Sequence, residues 1–139
     1  MKDRTLIAIK PDAVRRGLIG LILSRFEQRG LRVTALKMLV FTKNQAEKFY
    51  EPHFGKDFFR ELINFLTSGP AVVAVLEAPE AVDITRKMVG PTRPNEASPG
   101  TIRGDYALNV MENVIHVSDS PDSFVREFGV VFSDQNCPV

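Results

Sequence analysis

Hydrophobic positions along the chain change their period several times, and each change marks a new element. Residues 4–9, RTLIAI, form a short β-type run that Lys10 and Pro11 stop. Ile19, Ile22, Leu23 and Phe26 then recur at helical spacing, and Gly30 follows as a natural stop. Residues 31–41 read as a long strand. Its apolar phase slips near Ala35 and Leu36, which predicts a bulge or burial on both faces. Thr42 and Gln45 have capping-box spacing for a helix over residues 43–50. A turn through Pro52 and Gly55 leads to a second helix with Phe59, Leu62, Ile63 and Leu66 on one face, which Ser68, Gly69 and Pro70 break.

Residues 71–77, AVVAVLE, are almost wholly apolar and predict a central strand. Pro79 suits the first turn of a helix that ends near Gly90. Residues 90–100, GPTRPNEASPG, are the longest irregular stretch. NVIHV, residues 113–117, is the last strand, and Ser120 with Pro121 begins a helix carrying Phe124, Val125 and Phe128. With the helical pair between strands 2 and 3 set aside, the order is βαββαβ. That is an α+β, ferredoxin-like plan: a four-stranded antiparallel sheet with helices packed on one face. No repeat or linker interrupts it, so residues 1–139 are expected to form one domain.

Composition narrows the function classes. The 139 residues are 44% hydrophobic and 25% charged, with a formal net charge of +1, an ordinary mix for one globular core. Near-neutrality gives no electrostatic reason to expect a specific nucleic-acid partner, so an anionic ligand must be held by a few well-placed cations. Cys137 is the single cysteine, which excludes an internal disulfide and a cysteine-built zinc site, and its place near the C-terminus suits no reactive role. The N-terminus turns polar after six residues, too soon for a signal peptide, and no apolar run approaches the ~20 residues of a membrane span. A cytoplasmic protein with no membrane contact is the expectation.

Candidate chemistry centres on His116, one of two histidines. A lone imidazole in a strand can be a packed core group, a metal ligand with His53 as its one nitrogen partner, or a nucleophile. The nucleophile reading gains from the strand end, from Ser118, and from Glu127 in the next helix: a carboxylate there can fix the tautomer and free the other nitrogen. Lys10 closes the first strand, Arg86 lies in the helix after Glu77, and Arg103 follows the irregular loop. Each alone reads as a solvated surface charge. In a ferredoxin-like sheet, however, Lys10 and His116 end strands that can be neighbours, and phosphoryl transfer needs positive charge around the moving group. No P-loop and no dinucleotide glycine motif is present. Phe59 belongs to the apolar helix face, which leaves Phe58 as a candidate base-stacking surface.

NVIHVSDS resembles the active-site signature of nucleoside diphosphate kinases, Asn-x-x-His-(Gly or Ala)-Ser-Asp. TLIAIKPDAV, GLIGLILSRFEQRGL, QAEKFY, GKDFF, LTSGP, PGTIRGDY and VREFG also look like family segments in family order, from Arg4 to about Phe132. The resemblance implies a ping-pong transfer from a nucleoside triphosphate to a nucleoside diphosphate through phosphorylated His116, with broad base specificity. It implies that Glu127 orients His116 and Ser118 supports it. Lys10, Arg86, Thr92 and Arg103 would contact phosphates, with Lys10 and Asn113 also at the sugar hydroxyls. Tyr50 would stand beside the transfer centre, Phe58 would stack on the base with Val110 near its other face, and Leu62 would line the same pocket. Mg²⁺ would arrive on the nucleotide, with no metal ligands on the protein. A homohexamer is implied, a homotetramer being the alternative, with residues 90–100 at subunit contacts.

Two positions depart from that pattern. Val117 stands where the family usually has Gly or Ala, and valine tolerates positive φ poorly, so it either packs behind the strand or crowds the imidazole. Asp57 replaces a proline common before Phe58 and is expected to weaken nucleotide binding modestly. The competing readings are a ferredoxin-like module for RNA or a small ligand with a structural His116, and a family member inactivated by Val117. The first lacks the RNA-recognition signature Lys/Arg-Gly-Phe/Tyr-Gly/Ala-Phe.

Overall fold

A computed structural model describes residues 2–132 of the chain; Cys137 lies outside the described residues. Strand β1 spans Lys2–Ile9 and is followed by the short helix α1, Pro11–Arg15, and by α2, Ile19–Gln28. Pro11 ends the strand as expected, but it also opens α1 at a position where its missing N–H costs nothing. Strand β2, Arg32–Leu39, leads to α3, Lys43–Phe49, a 3₁₀ turn over Glu51–His53, and α4, Phe59–Leu66. Both bonds of the capping box form: Gln45 N donates to Thr42 Oγ1 at 3.1 Å and Thr42 N donates to Gln45 Oε1 at 2.9 Å.

Strand β3 spans Ala71–Pro79 and α5 spans Ala81–Val89. Pro79 is therefore not in the first turn of a helix. It is the last strand residue, opposite Lys2, and Glu80 at φ 58° turns the chain into α5. The polar start of β1 pairs with this end of β3, and such a pairing leaves no hydrophobic signal to read. After a 3₁₀ turn at Pro94–Glu96 come α6, Ile102–Tyr106, then β4, Ile115–Val117, and α7, Pro121–Val131. Sequence periodicity did not reveal α6, because five residues are too few to show a helical repeat. Thr101 caps it by accepting from Gly104 N at 2.9 Å. Gly104 itself is obligatory: a Cβ there would lie 2.0 Å from the Ser98 carbonyl oxygen.

The sheet order is β2-β3-β1-β4, with every pairing antiparallel. Alternation along β1 and β3 divides the core in two. Ile7, Ile9, Val72, Ala74 and Leu76 face α2 and α5, so the two crossover helices share one face as expected. Leu6, Ala8, Val73 and Val75 face the helical pair α3–α4 and also α7, which covers the second face. The register slips between Val33 and Ala35, one step earlier than the expected bulge. The extra residue puts Val33 on one face and Ala35 on the other, so both are packed. In α7, Phe124 and Phe128 pack on the core, while Val125 points outward at 68% exposure, so it does not belong to the apolar face.

Candidate active site

His116 occupies the centre of β4, opposite Ala8 of β1, so its imidazole emerges on the face that α3 and α7 cover. The ring lies 4.8 Å from that of Phe49 and 5.5 Å from that of Tyr50. Its buried Nε2 is 3.0 Å from Oε2 of Glu127, without the N–H alignment of a formed hydrogen bond. Contacts of this kind often tighten only around substrate. Glu127 is 2% exposed and well anchored: Ser118 Oγ donates to its Oε1 at 2.6 Å, and Arg126 Nη2 approaches Oε2 at 3.2 Å. A carboxylate against Nε2 favours the proton there and leaves Nδ1 with its lone pair.

Lys10, at the junction of β1 and α1, is 5% exposed and donates from Nζ to Asn113 Oδ1 at 2.8 Å. Its pKa is lowered to about 7, by burial first and then by the nearby Arg103, with Asp12 opposing both. Arg103, on α6, donates to the carbonyls of Gly90 at 2.9 Å and of Ile115 at 2.6 Å. Burial brings its pKa down to about 10. Tyr50 OH is buried with no hydrogen-bond partner, and desolvation first, then Glu127, pushes its pKa up.

Two clefts meet at His116. One, of about 610 Å³, is bordered by Arg86, Thr92 and Arg103 on its cationic side. The other, of about 320 Å³, runs past Lys10, Tyr50 and Asn113 to Leu62, Phe58 and Val110. Phe58 is 42% exposed at the N-cap of α4, so its ring is open to the cleft. Every residue singled out for phosphate, sugar or base contact thus borders one cleft or the other. Ser118 and Glu127 lie behind the imidazole instead. Anion-binding charge and a stacking surface flank one histidine, which is the layout a nucleotide needs.

The backbone before His116 is strained. Val114 has φ 65°, and Ile115 N donates to Asn113 O at 2.8 Å, closing a three-residue turn. A β-branched residue in that region costs about 1–3 kcal/mol, which the surroundings must offset.

Similarity to known proteins agrees with this geometry. The nucleoside diphosphate kinase family model matches residues 3–137. The chain is 57% identical to the nucleoside diphosphate kinase of Staphylothermus marinus over 132 residues, covering 95% of this chain and 94% of that one. The chain belongs to the nucleoside diphosphate kinase family. The relative from Hyperthermus butylicus is 55% identical over 132 residues, covering 95% and 93% of the two chains. Among solved structures, the Aquifex aeolicus nucleoside diphosphate kinase superposes with a TM-score of 0.91 at 42% identity, covering 95% of this chain and 96% of that one. That of Encephalitozoon cuniculi gives 0.95 at 39%, covering 99% and 93%.

Within the kinase family frame, Val117 does not point at the imidazole, although it borders the first cleft together with it. Its backbone is extended in β4 and its side chain packs with Ile7 and Ile115, on the sheet face opposite His116. Asp57 is exposed in the turn before α4, beside Phe58. His53, read from sequence only as a nitrogen partner for a metal, instead borders both clefts, its ring 5.7 Å from Tyr50 and 5.5 Å from Phe58. Among the described residues no three His, Cys, Asp or Glu side chains cluster to hold a metal. Met111 also borders the second cleft, and Arg126 shares the Glu127 oxygen. No sequence signal separates either from an ordinary core or surface residue.

Proposed function

We propose that this chain moves the terminal phosphoryl group of a nucleoside triphosphate to a nucleoside diphosphate through His116. In the first half-reaction the Nδ1 lone pair attacks the γ-phosphorus, the bond to the β–γ bridging oxygen breaks, and the nucleoside diphosphate leaves. In the second, an incoming diphosphate's terminal oxygen attacks the same phosphorus and the imidazole is regenerated. Glu127, held by Ser118, balances the positive charge that the ring gains when Nδ1 is phosphorylated. Lys10, Arg86, Thr92 and Arg103 hold phosphates, and Lys10 with Asn113 reaches the sugar. Tyr50 borders the transfer centre. Phe58 and Val110 sandwich the base above Leu62, and stacking tolerates any base because each has a π-face. Mg²⁺ would arrive on the nucleotide, whose phosphate oxygens suit the Arg86, Lys87 and Arg103 side of the first cleft.

The observation that carries this reading is a histidine with one nitrogen against a buried carboxylate, placed where a cationic and an aromatic cleft meet. Incubation with γ-labelled ATP and Mg²⁺, without acceptor, should leave acid-labile, base-stable label that GDP removes. Label that survives His116→Ala moves the nucleophile elsewhere; no label on the unmodified chain defeats the mechanism.

The reading extends to one domain over residues 1–139, a homohexamer and a cytoplasmic setting. No helix among the described residues is long and apolar enough to cross a membrane. Support for assembly comes from β2, at one edge of the sheet, with Leu36 56% and Met38 58% exposed. An apolar edge strand is a liability that a second copy of the chain can cover.

A further inference from the structure

The strained turn before His116 has two neighbours that hold it, and both come from one short stretch of chain. Lys10 N donates to Val114 O at 2.9 Å. Val114 N donates to Oδ2 of Asp12, on α1, at 3.2 Å. Both backbone polar groups of the left-handed residue are therefore satisfied by Lys10 and Asp12. Val114 and Asp12 are both buried, so water cannot replace the carboxylate as acceptor. A valine persists at φ 65° only where its surroundings over-determine it, and Asp12 is the side-chain part of that restraint.

What the turn aims is the transfer site. Asn113, before it, holds Lys10 Nζ through Oδ1 and donates from Nδ2 to Thr92 O at 3.4 Å. Ile115, after it, gives its carbonyl to Arg103 and leads directly into His116. Asp12 also supplies charge. The groups facing Lys10 are Arg103 from α6, Tyr50 from the end of α3 with its ring 6.0 Å from Nζ, His53 from the 3₁₀ turn, His116 from β4 and the neutral Asn113. Arg103 disfavours an ammonium beside it, and Asp12 is the carboxylate that acts the other way.

We propose that Asp12 is a positioning residue of this active site: its carboxylate pins the Asn113–Val114–Ile115 turn that aims His116 and places a negative charge near Lys10. This rests on the placement of phosphoryl transfer at His116 and Lys10. The sign follows from Lys10. Its pKa is about 7 with the Asp12 charge in place, and removing that charge lowers it further. The phosphate-binding ammonium is then lost at lower pH, so the deficit falls on the alkaline side.

The test compares Asp12→Asn, which keeps an acceptor oxygen without the charge, and Asp12→Ala, which keeps neither. Each variant's kcat/KM is divided by that of the unmodified chain at pH 6 and pH 8.5, which cancels ionisation of the nucleotide. Lys10 is titrated separately through its ε-carbon NMR signal, assigned with Lys10→Met. D12N should stay within about twofold at pH 6 and fall about fivefold or more at pH 8.5, with the Lys10 midpoint displaced downward. D12A should fall at both pH values. Ratios for D12N that do not change with pH, together with an unmoved Lys10 midpoint, would mean a merely structural carboxylate and overturn the proposal. So would a D12A that matches D12N at pH 6. If D12A does not fold, the pH dependence of D12N and the Lys10 titration decide alone. An unmodified chain that takes no label at His116 defeats the reading of the site itself; a labelled chain with a pH-flat D12N defeats only the role of Asp12.

Discussion

Three contacts converge on the Glu127 carboxylate, and each makes a separate demand on it. Oε1 takes the Ser118 hydroxyl, while Oε2 faces both His116 and Arg126. Glu127→Ala should slow labelling of His116 by about a hundredfold, because the developing imidazolium loses its counter-charge. Rapid-quench measurement of the labelled enzyme checks this, and an unchanged rate removes Glu127 from the mechanism. Ser118→Ala leaves a buried carboxylate oxygen unmet and should cost about 1–3 kcal/mol in stability, read by urea unfolding. Lys10 makes the opposite demand. Its folded pKa, about 7, lies below the unfolded 10.5, so between those values the unfolded chain binds more protons and stability rises with pH. Lys10→Met should flatten that rise and stabilise the chain at pH 7 by about 1 kcal/mol or more, while abolishing tight nucleotide binding. Denaturation midpoints at pH 7 and 9.5 decide it.

Elements position these residues through backbone that has no freedom to relax. Helix α6 presents Arg103 to the cleft, and it is held by the Thr101 cap and by the contact of Gly104 with the Ser98 carbonyl. Arg25 of α2 grips the same segment: its guanidinium donates to Asp105 at 2.6 Å and to the Gly100 carbonyl at 3.1 Å. Gly104→Ala places a methyl 2.0 Å from backbone, so α6 and the loop before it must separate. The expected result is a loss of about 2 kcal/mol and a raised KM, as Arg103 leaves the carbonyls of Gly90 and Ile115. A variant with unaltered melting and KM would mean that the loop yields without moving Arg103. Periodicity did foretell the long elements: the α2 face with Ile22 and Phe26, the α4 face with Leu62, Ile63 and Leu66, and the buried β3. It failed for α1, α6 and the end of β3, where short length or polar pairing partners leave no repeat to detect.

At the scale of the molecule, a sheet covered by helices on both faces still leaves β2 as an edge with apolar side chains in solvent. Replacing Leu36 and Met38 with lysine should make that edge self-repelling and lower the assembled mass, as seen by sedimentation equilibrium. Assembly that is indifferent to both changes puts the subunit contact elsewhere. What was legible without coordinates had a local cause: hydrophobic period, caps, and a run of motifs spanning nearly the whole chain. These were enough for the order of the strands and the longer helices, for the family and for a list of candidate site residues. Three things were decided only by tertiary structure. Val117 lies across the sheet from the imidazole, the strain falls instead at Val114, and Asp12, more than a hundred residues away in sequence, is the group that holds it. The physical reason is the same for all three. Which side of a strand a residue takes, and which buried polar group meets it, depends on strands that are distant in sequence and adjacent in the sheet.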